Sequence, residues 1–178
     1  MLHAHCIYGH KLPLGHIDRT FVMGKIYGFQ GPNGSGKSTL LLTIAGELAP
    51  LEGEITHEGQ RPIVRIGDPI FYPDLSVREH LELLPIPVEE IVDLWQLEEL
   101  ADLPPIWLSS GQRQRVFLAS QLEIPADVLI IDEPERHLDA DWTSFLASEL
   151  QRLAQDRIVL IASHSPIILE ACDELITL

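Results

Sequence analysis

The stretch Gly31–Thr39, with the sequence GPNGSGKST, decides the fold of this chain. It matches the pattern G-x-x-x-x-G-K-[ST], whose glycines let the backbone turn with its N–H groups pointing inward around a phosphate group. Lys37 adds a positive charge, and Ser38 can ligate a magnesium ion. The flanks agree, because Lys25–Gln30 predicts an apolar strand and 38–48 predicts a helix whose N-terminus faces the phosphates. The sequence therefore predicts a phosphate-binding loop between a strand and a helix.

This loop supplies most of the predicted nucleotide contacts. The alternative interpretation is a glycine-rich turn that binds nothing, which the strand and helix on either side disfavour. We expect phosphate binding by the residues Gly31, Asn33, Gly34, Ser35, Gly36, Lys37, Ser38 and Thr39.

A second strand is needed to place the metal ion and to activate water. Val128–Ile131 is an unbroken apolar run, typical of a strand buried on both faces, and it ends in Asp132 and Glu133. Asp132 can hold Mg²⁺ directly or through water, and Glu133 can polarise the attacking water. The alternative is a strand that ends in two solvated acids. His164 follows the next apolar strand, where ligands of open α/β sheets collect, so we expect it to sense the γ-phosphate.

Strands and helices alternate after residue 25, which predicts a mostly parallel sheet with helices on both faces. Residues 4–8 and 17–22 predict two earlier strands, which form an N-terminal antiparallel part. A capping box at Ser76 and Glu79 opens a series of short acidic helices at 77–84, 88–94 and 98–103. We therefore expect one α/β domain over 1–178, with a core at 1–75 and 108–178 and a small helical subdomain inserted at 76–107.

Composition restricts the function classes. Twelve basic and 27 acidic residues give a net charge of −15, which repels nucleic-acid phosphates and anionic lipids, so we expect no direct nucleic-acid binding. No apolar run reaches the roughly 18 residues that a membrane helix needs, and the first residues show no secretion signal. We expect a cytoplasmic protein that reaches the inner face of a membrane only through a protein partner.

Four motifs in a fixed order resemble the ATP-binding-cassette (ABC) ATPases over nearly the whole chain. These are the P-loop at Gly31, LSSGQ at Leu108, the strand that ends in DEP at Asp132, and SHS around His164. A P-loop alone is shared by many NTPases, whereas LSSGQ shortly before a Walker B strand is largely confined to this superfamily. The resemblance implies an ATPase of the P-loop NTPase fold that uses ATP and Mg²⁺. Its implied catalytic residues are Lys37, Glu133 and His164, and its metal-side residues are Ser38 and Asp132.

The resemblance also implies a head-to-tail dimer, formed with a second copy or with a related cassette. Each ATP would lie between the P-loop of one subunit and the LSSGQ of the other, which here supplies Ser109, Ser110, Gly111 and Gln112. Tyr8 falls at the position of the adenine-stacking aromatic residue, although the end of a predicted strand is equally consistent with ordinary strand packing. Asp139 falls in the loop that crosses the dimer interface. One position departs from the family, because the glutamine expected after the strand that follows the P-loop helix is missing. Gly67 and Asp68 stand there, and Asp68 offers an oxygen but no amide donor.

Two functions remain open at this stage, together with a third reading. The first is the subunit whose ATP-driven dimer closure powers a membrane-spanning transporter subunit, which the stretches at 43–59 and 72–81 resemble. The second is a soluble ATP-driven switch in DNA maintenance or defence, which DEPERHLDADW and ASHSPIIL resemble about equally well. The third, a cassette that binds ATP without hydrolysing it, is disfavoured by the intact catalytic residues. The transported substrate and its direction are not encoded in these motifs.

Overall fold

A computed structural model describes residues 1–178. Its strands are β1 (Leu2–Gly9), β2 (Pro13–Phe21), β3 (Lys25–Gln30), β4 (Glu52–His57), β5 (Ile63–Ile66), β6 (Val128–Asp132), β7 (Ile158–Ala162) and β8 (Glu174–Thr177). Its helices are α1 (Lys37–Ile44), α2 (Val77–Glu82), α3 (Val88–Leu94), α4 (Ser110–Leu122), α5 (Ala140–Ala154) and α6 (Pro166–Glu170). A 3₁₀ turn spans Pro105–Trp107. None of the helices combines the length and the apolar character needed to cross a bilayer.

The main sheet has five parallel strands in the order β5-β6-β7-β3-β8, which confirms the predicted fold class. The apolar strands β6 and β7 are neighbours in this sheet, and their pairing runs from Val128 opposite Ile158 to Asp132 opposite Ala162. Because all five strands run in the same direction, their carboxyl ends meet at one edge. The P-loop, Glu133 and His164 all follow strands at this edge.

Side chains along the two central strands alternate between two hydrophobic clusters, as the twofold period of a strand requires. Ile130 and Leu160 face a cluster shared with α1 and the N-terminal sheet. Leu129 and Val159 face a larger cluster shared with α4 and α5. Burial on both faces explains why these strands contain almost only apolar residues.

The N-terminal part is a three-stranded antiparallel sheet in the order β2-β1-β4, as predicted for the first two strands. Alternate residues of β1 are buried against the P-loop helix and the main sheet: Leu2, Ala4, Cys6 and Tyr8. His3 and His5, on the opposite face, are more exposed. This sheet therefore covers one side of the P-loop.

The sequence predicts a helix at 38–48, which ends four residues later than the helix in the structure. Helix α1 begins at Lys37 and ends at Ile44, and Gly46 has a φ of +77°. A residue in this left-handed conformation terminates a helix, and glycine adopts it without a steric cost.

The capping box that opens α2 is confirmed, because the Ser76 hydroxyl accepts from the Glu79 N–H and the Glu79 carboxylate accepts from the Ser76 N–H. The helix predicted at 98–103 is wrong. This stretch forms successive turns, in which the Leu103 N–H donates to the Leu100 carbonyl at 3.0 Å. Two of its carbonyls instead accept from the first turn of α2, since Val77 N–H donates to Leu103 and Arg78 N–H to Ala101. A continuing helix would not present these carbonyls to a neighbouring helix.

The buried residues of 76–107 belong to the same hydrophobic cluster as the main sheet. Trp95 is 1% exposed, and its ring lies parallel to that of Trp142 in α5 at 6.4 Å. Phe145 packs edge-on against the Trp95 ring, with 5.0 Å between the ring centroids. The division into a core and an inserted helical subdomain thus stays a prediction, since this stretch shares its core with the rest of the chain.

Candidate ATP-binding and hydrolysis site

The P-loop connects the carboxyl end of β3 to the first residue of α1. Gly34 and Gly36 have φ angles of +83° and +97°, which residues with a Cβ rarely adopt. The Lys37 ammonium group is directed back over the loop, where it donates to the carbonyls of Gly31 at 2.9 Å and Pro32 at 3.1 Å. Only 7% of the Lys37 surface is exposed, so the side chain is held against the loop and does not extend into solvent.

A cleft of about 540 Å³ opens over this loop. It is lined by Leu14, Asn33, Gly34, Gly36, Lys37, Ser38, Thr39, Glu133 and Arg136. Within the loop, the buried Ser35 hydroxyl has no hydrogen-bond partner. The N-terminus of α1 adds backbone N–H groups that have no partner within the helix. These features fit the triphosphate of ATP. Six of the eight predicted P-loop residues line the cleft, and the other two, Gly31 and Ser35, do not.

Glu133 lies across this cleft from the P-loop. It has a φ of +47°, an uncommon conformation for a residue with a side chain, and its N–H donates to the Ala162 carbonyl at 2.8 Å. Its carboxylate oxygens lie 3.4 Å from Arg136 Nη2 and 3.9 Å from His164 Nε2. The structure thus places Glu133 and His164 side by side. Backbone strain of this kind often occurs where a side chain must be aimed at a ligand.

The oxygen atoms available to a magnesium ion are few. Ser38 lies in the first turn of α1, and Asp132 ends β6 next to Glu133. No group of three or more His, Cys, Asp or Glu side chains is placed to hold a metal ion. Mg²⁺ commonly binds through one or two protein oxygens, with phosphate oxygens and water completing its octahedron. Ser38 lines the cleft over the P-loop and Asp132 lines the neighbouring cleft, and Glu133 lines both, so one hydroxyl and one carboxylate are available near this edge to an ion that arrives with ATP.

The signature LSSGQ forms the N-terminus of α4. Ser109 is the N-cap, and it exchanges hydrogen bonds with Gln112, whose side-chain oxygen accepts from the Ser109 N–H at 2.9 Å. Gly111 has no room for a side chain, because an added Cβ would lie 2.8 Å from the His137 carbonyl oxygen. Ser109, Ser110, Gly111 and Gln112 line a cleft with the loop after Glu133, and none of them lines the cleft over the P-loop. Ser110 also lines a third cleft, which contains Asp132 and Glu133.

Tyr8 does not fit its predicted role as an adenine-stacking residue. It is 2% exposed and belongs to the hydrophobic core, where burial raises the pKa of its phenol. Its ring supports the P-loop from below, since a Cβ added at Gly36 would lie 3.1 Å from Tyr8 Cε2. Both ring faces are covered, so a purine could stack on it only after the ring moved. Leu14, which is 50% exposed, lines the cleft there.

The residues at the position of the missing glutamine lie beside the predicted metal site. Gly67 and Asp68 line a cleft of about 270 Å³ that also includes Asp132, Glu133 and Arg136. Asp68 is exposed and makes no hydrogen bond within the protein. The structure therefore brings this loop to the predicted metal-side carboxylates, as the sequence order suggested.

Two charged residues after the DEP sequence were given no role by sequence reasoning. Arg136 lies beside Glu133 and lines both of the clefts that Glu133 lines. Glu135 points the other way and accepts hydrogen bonds from Ser163 and His164. The sequence did offer one signal for these residues, the run ERH that directly follows the DEP sequence.

Comparison with known proteins identifies the family. Residues 14–136 match the family described as ABC transporter. The cytochrome c biogenesis ATP-binding export protein CcmA of Rhodopseudomonas palustris (strain BisB5) is 33% identical over 178 residues, covering 91% of this chain and 89% of the relative. An uncharacterized ABC transporter ATP-binding protein of Bacillus subtilis, YcbN, is 30% identical over 178 residues, covering 88% of this chain but only 58% of the relative.

Solved structures share the same fold. A Pyrococcus furiosus protein, provisionally described as an ABC transporter (ATP-binding protein), superimposes with a TM-score of 0.86 at 30% identity, covering 99% of this chain and 96% of that one. The dimeric ATP-binding cassette MJ0796 bound to ADP and Pi gives a TM-score of 0.85 at 22% identity, covering 100% and 94%. The four motifs, their geometry and these relatives lead to one conclusion: the chain belongs to the ABC transporter family and is an ATPase of the ATP-binding-cassette type.

Proposed function

We propose that this ATPase powers a membrane transporter, by closing head to tail with a second cassette around two ATP molecules and reopening after hydrolysis. One observation carries the dimer proposal: none of the signature residues Ser109, Ser110 and Gly111 lines the cleft over the P-loop of the same chain. We therefore infer that a second subunit supplies them to ATP held by Lys37. The N-terminus of α4 faces solvent, where its backbone N–H groups can donate hydrogen bonds to the γ-phosphate of an ATP held by the partner subunit.

Each residue at this site would have a separate role in ATP hydrolysis. Lys37 would neutralise the phosphates and the backbone N–H groups of the loop would orient them. Glu133 would take a proton from the attacking water, while His164, at 3.9 Å from Glu133, would contact the γ-phosphate. Ser38 and Asp132 would hold the magnesium ion, which withdraws charge from the phosphates when it is bound.

Exposed apolar side chains support docking to a membrane-spanning subunit. Ile70 and Tyr72, in the loop that contains the unusual Asp68, are 85% and 64% exposed. This loop packs onto α2 through Tyr72, whose N–H donates to His80 Nε2 at 2.8 Å. Apolar residues exposed on a loop that lines the catalytic edge are suited to a protein partner that must sense the nucleotide. The relatives named as a cytochrome c biogenesis ATP-binding export protein and as a sulfate/thiosulfate import ATP-binding protein support a role in transport.

The test is an affinity purification of tagged Glu133→Gln protein from gently solubilised native membranes with Mg-ATP, with the partners identified by mass spectrometry. The matched control is the Lys37→Ala variant, which should bind ATP about 10- to 100-fold more weakly. ATP-dependent recovery of one polytopic membrane protein is the expected result. Recovery of soluble proteins alone would contradict the transporter proposal and favour an ATP-driven switch in DNA maintenance or defence.

A further inference from the structure

Glu135 connects the catalytic loop to the loop that carries His164. One oxygen of its carboxylate, Oε1, accepts three hydrogen bonds: from the Ser163 hydroxyl at 2.5 Å and from the backbone N–H groups of His164 and Ser165 at 3.2 Å each. The three donors are consecutive residues. Glu135 therefore fixes the whole turn that leads from β7 into α6.

Few other contacts connect the 163–165 turn to the loop after β6, so the hydrogen bonds to Glu135 matter for its position. The last backbone hydrogen bond between the two loops runs from Glu133 N–H to the Ala162 carbonyl, so the strand pairing ends immediately before Ser163. Beyond that point, Glu135 supplies the connection. The Ser163 side chain is fully buried, and its hydroxyl also accepts from the Ser165 N–H at 3.0 Å. No other side chain accepts from the His164 N–H.

The other oxygen of Glu135, Oε2, is buried and has no hydrogen-bond partner. A buried carboxylate oxygen left unpaired is unfavourable, so the three bonds to Oε1 must hold the side chain in place. A glutamate used only as a solvated surface charge would be turned outward. Arg136, the next residue, is exposed and faces the P-loop cleft instead.

We propose that Glu135 is a positioning residue for ATP hydrolysis, holding the 163–165 turn so that the His164 side chain faces Glu133 and the bound phosphates. The inference rests on the role proposed above for His164. Glu135 lines neither of the clefts that Glu133 lines. Its contribution is to keep His164 within reach of Glu133 during turnover, and a displacement of about 1 Å at such a position can lower a rate on the order of 10²-fold.

The first experiment is a double-mutant cycle of steady-state ATPase rates with Glu135→Ala, His164→Ala and the double variant. Glu135→Ala should lower kcat about 10- to 100-fold, while KM for ATP changes less than about twofold, because ATP binding does not use the turn. Glu135→Gln should restore most of the rate, since its amide oxygen can accept the same bonds. In the His164→Ala background, the Glu135→Ala change should cost nothing further.

The matched control is Glu170→Ala, which removes an exposed carboxylate from α6 that makes no hydrogen bond or ion pair. It should turn over ATP like the parent chain. Melting temperatures of all variants show whether a loss of rate reflects a loss of folding.

A second readout does not need turnover. The His164 ring signal in ¹H–¹³C spectra, assigned by its loss in His164→Ala, should shift or broaden in Glu135→Ala and stay in place in Glu135→Gln and Glu170→Ala. Full kcat in Glu135→Ala, an unchanged ring signal, or an equal loss of rate in the His164→Ala background would each overturn the positioning role. If His164→Ala itself hydrolyses ATP at the parent rate, the role of His164 fails, and the proposal for Glu135 fails with it.

Discussion

His164 Nε2 lies 3.9 Å from Glu133 Oε1, although the two residues are 31 positions apart in the sequence. The pair is assembled by the parallel pairing of β6 and β7, which brings two strand ends to the same edge of the sheet. Both side chains remain accessible, with 47% and 37% of their surfaces exposed. An acid and an imidazole thus lie side by side at the carboxyl edge of the sheet, and the acid, Glu133, lines the cleft over the P-loop.

The first prediction concerns the proposed base. Glu133→Gln keeps the shape of the side chain but cannot take a proton from water, so ATP hydrolysis should fall about 10²- to 10⁴-fold. ATP affinity, measured with a fluorescent nucleotide, should stay near that of the parent chain. A rate within about twofold of the parent would rule out Glu133 as the base. Glu82→Gln, an exposed glutamate in α2, is the matched control.

The second prediction concerns the lysine under the P-loop. Lys37→Ala removes the ammonium group that donates to the Gly31 and Pro32 carbonyls, and with it the charge that would meet the phosphates. A hydrogen bond to a charged group contributes about 1.5–3 kcal/mol, so the Kd for ATP should rise by about 10- to 100-fold. Lys25→Ala, which changes an exposed lysine at the start of β3, should leave the Kd unchanged. An unaltered Kd in Lys37→Ala would contradict phosphate binding by this loop.

The third prediction separates the two halves of the site. Ser110→Arg places a large side chain on the exposed N-terminus of α4, at a residue that lines the cleft with Asp132 and Glu133 but not the P-loop cleft of the same chain. The monomer should bind ATP normally, while turnover should be lost because the partner's nucleotide can no longer seat. Ser148→Arg, on the exposed side of α5, should behave like the parent. If Ser110→Arg turns over ATP normally, the signature does not act across an interface.

The fourth prediction is a dependence of stability on pH. Hydrogen bonds from Arg61 hold the pKa of Asp127 below its ordinary value, through Nε at 2.7 Å and the backbone N–H at 2.8 Å. Because the pKa is lowered in the folded state, the stabilisation is complete above the unfolded pKa of about 3.9 and is lost as the pH falls through the folded pKa.

The variant that tests this is Asp127→Asn, followed by urea unfolding. Arg61 is partly exposed, so the expected loss at pH 7 is about 1–2 kcal/mol in the free energy of unfolding. The difference from the parent should shrink below about pH 4. A difference that stays constant over the whole range would show that the ion pair does not cause it. Asp93→Asn, at an exposed position of α3, is the control.

Sequence reasoning succeeded where a local pattern determines the structure. The glycines and lysine of 31–39 define the P-loop by their conformational and charge requirements alone. The apolar runs of β6 and β7 define buried strands, because only burial on both faces tolerates four consecutive branched or leucine side chains. These two features fixed the main sheet and the edge at which Glu133 and His164 meet.

The sequence left two roles open for Tyr8, strand packing and adenine stacking, and the strand period favours the first. Alternate residues of β1 face the same side, so Tyr8 is directed into the core together with Leu2, Ala4 and Cys6. The turns at 98–103 were missed because their carbonyls are used by α2, a tertiary contact that helical spacing cannot reveal.

Glu135 could not be assigned from the sequence for a similar reason. Its partners Ser163, His164 and Ser165 lie about 30 residues further along the chain, and the contact depends on the parallel pairing of the two central strands. Nothing in the spacing of these residues distinguishes a buried acceptor from an exposed glutamate. The folded structure is needed to show which of the two adjacent charges, Glu135 or Arg136, faces inward.

The measurement that tests the central claim most directly is the mass of the Glu133→Gln protein in solution with Mg-ATP, by size-exclusion chromatography with light scattering. The account predicts a shift from the 19.9 kDa chain to twice that mass, with two ATP bound per dimer. Adding Ser110→Arg to the same protein should abolish the shift while each chain still binds ATP. A protein that binds Mg-ATP and remains a monomer at saturation would contradict the ATP-closed dimer.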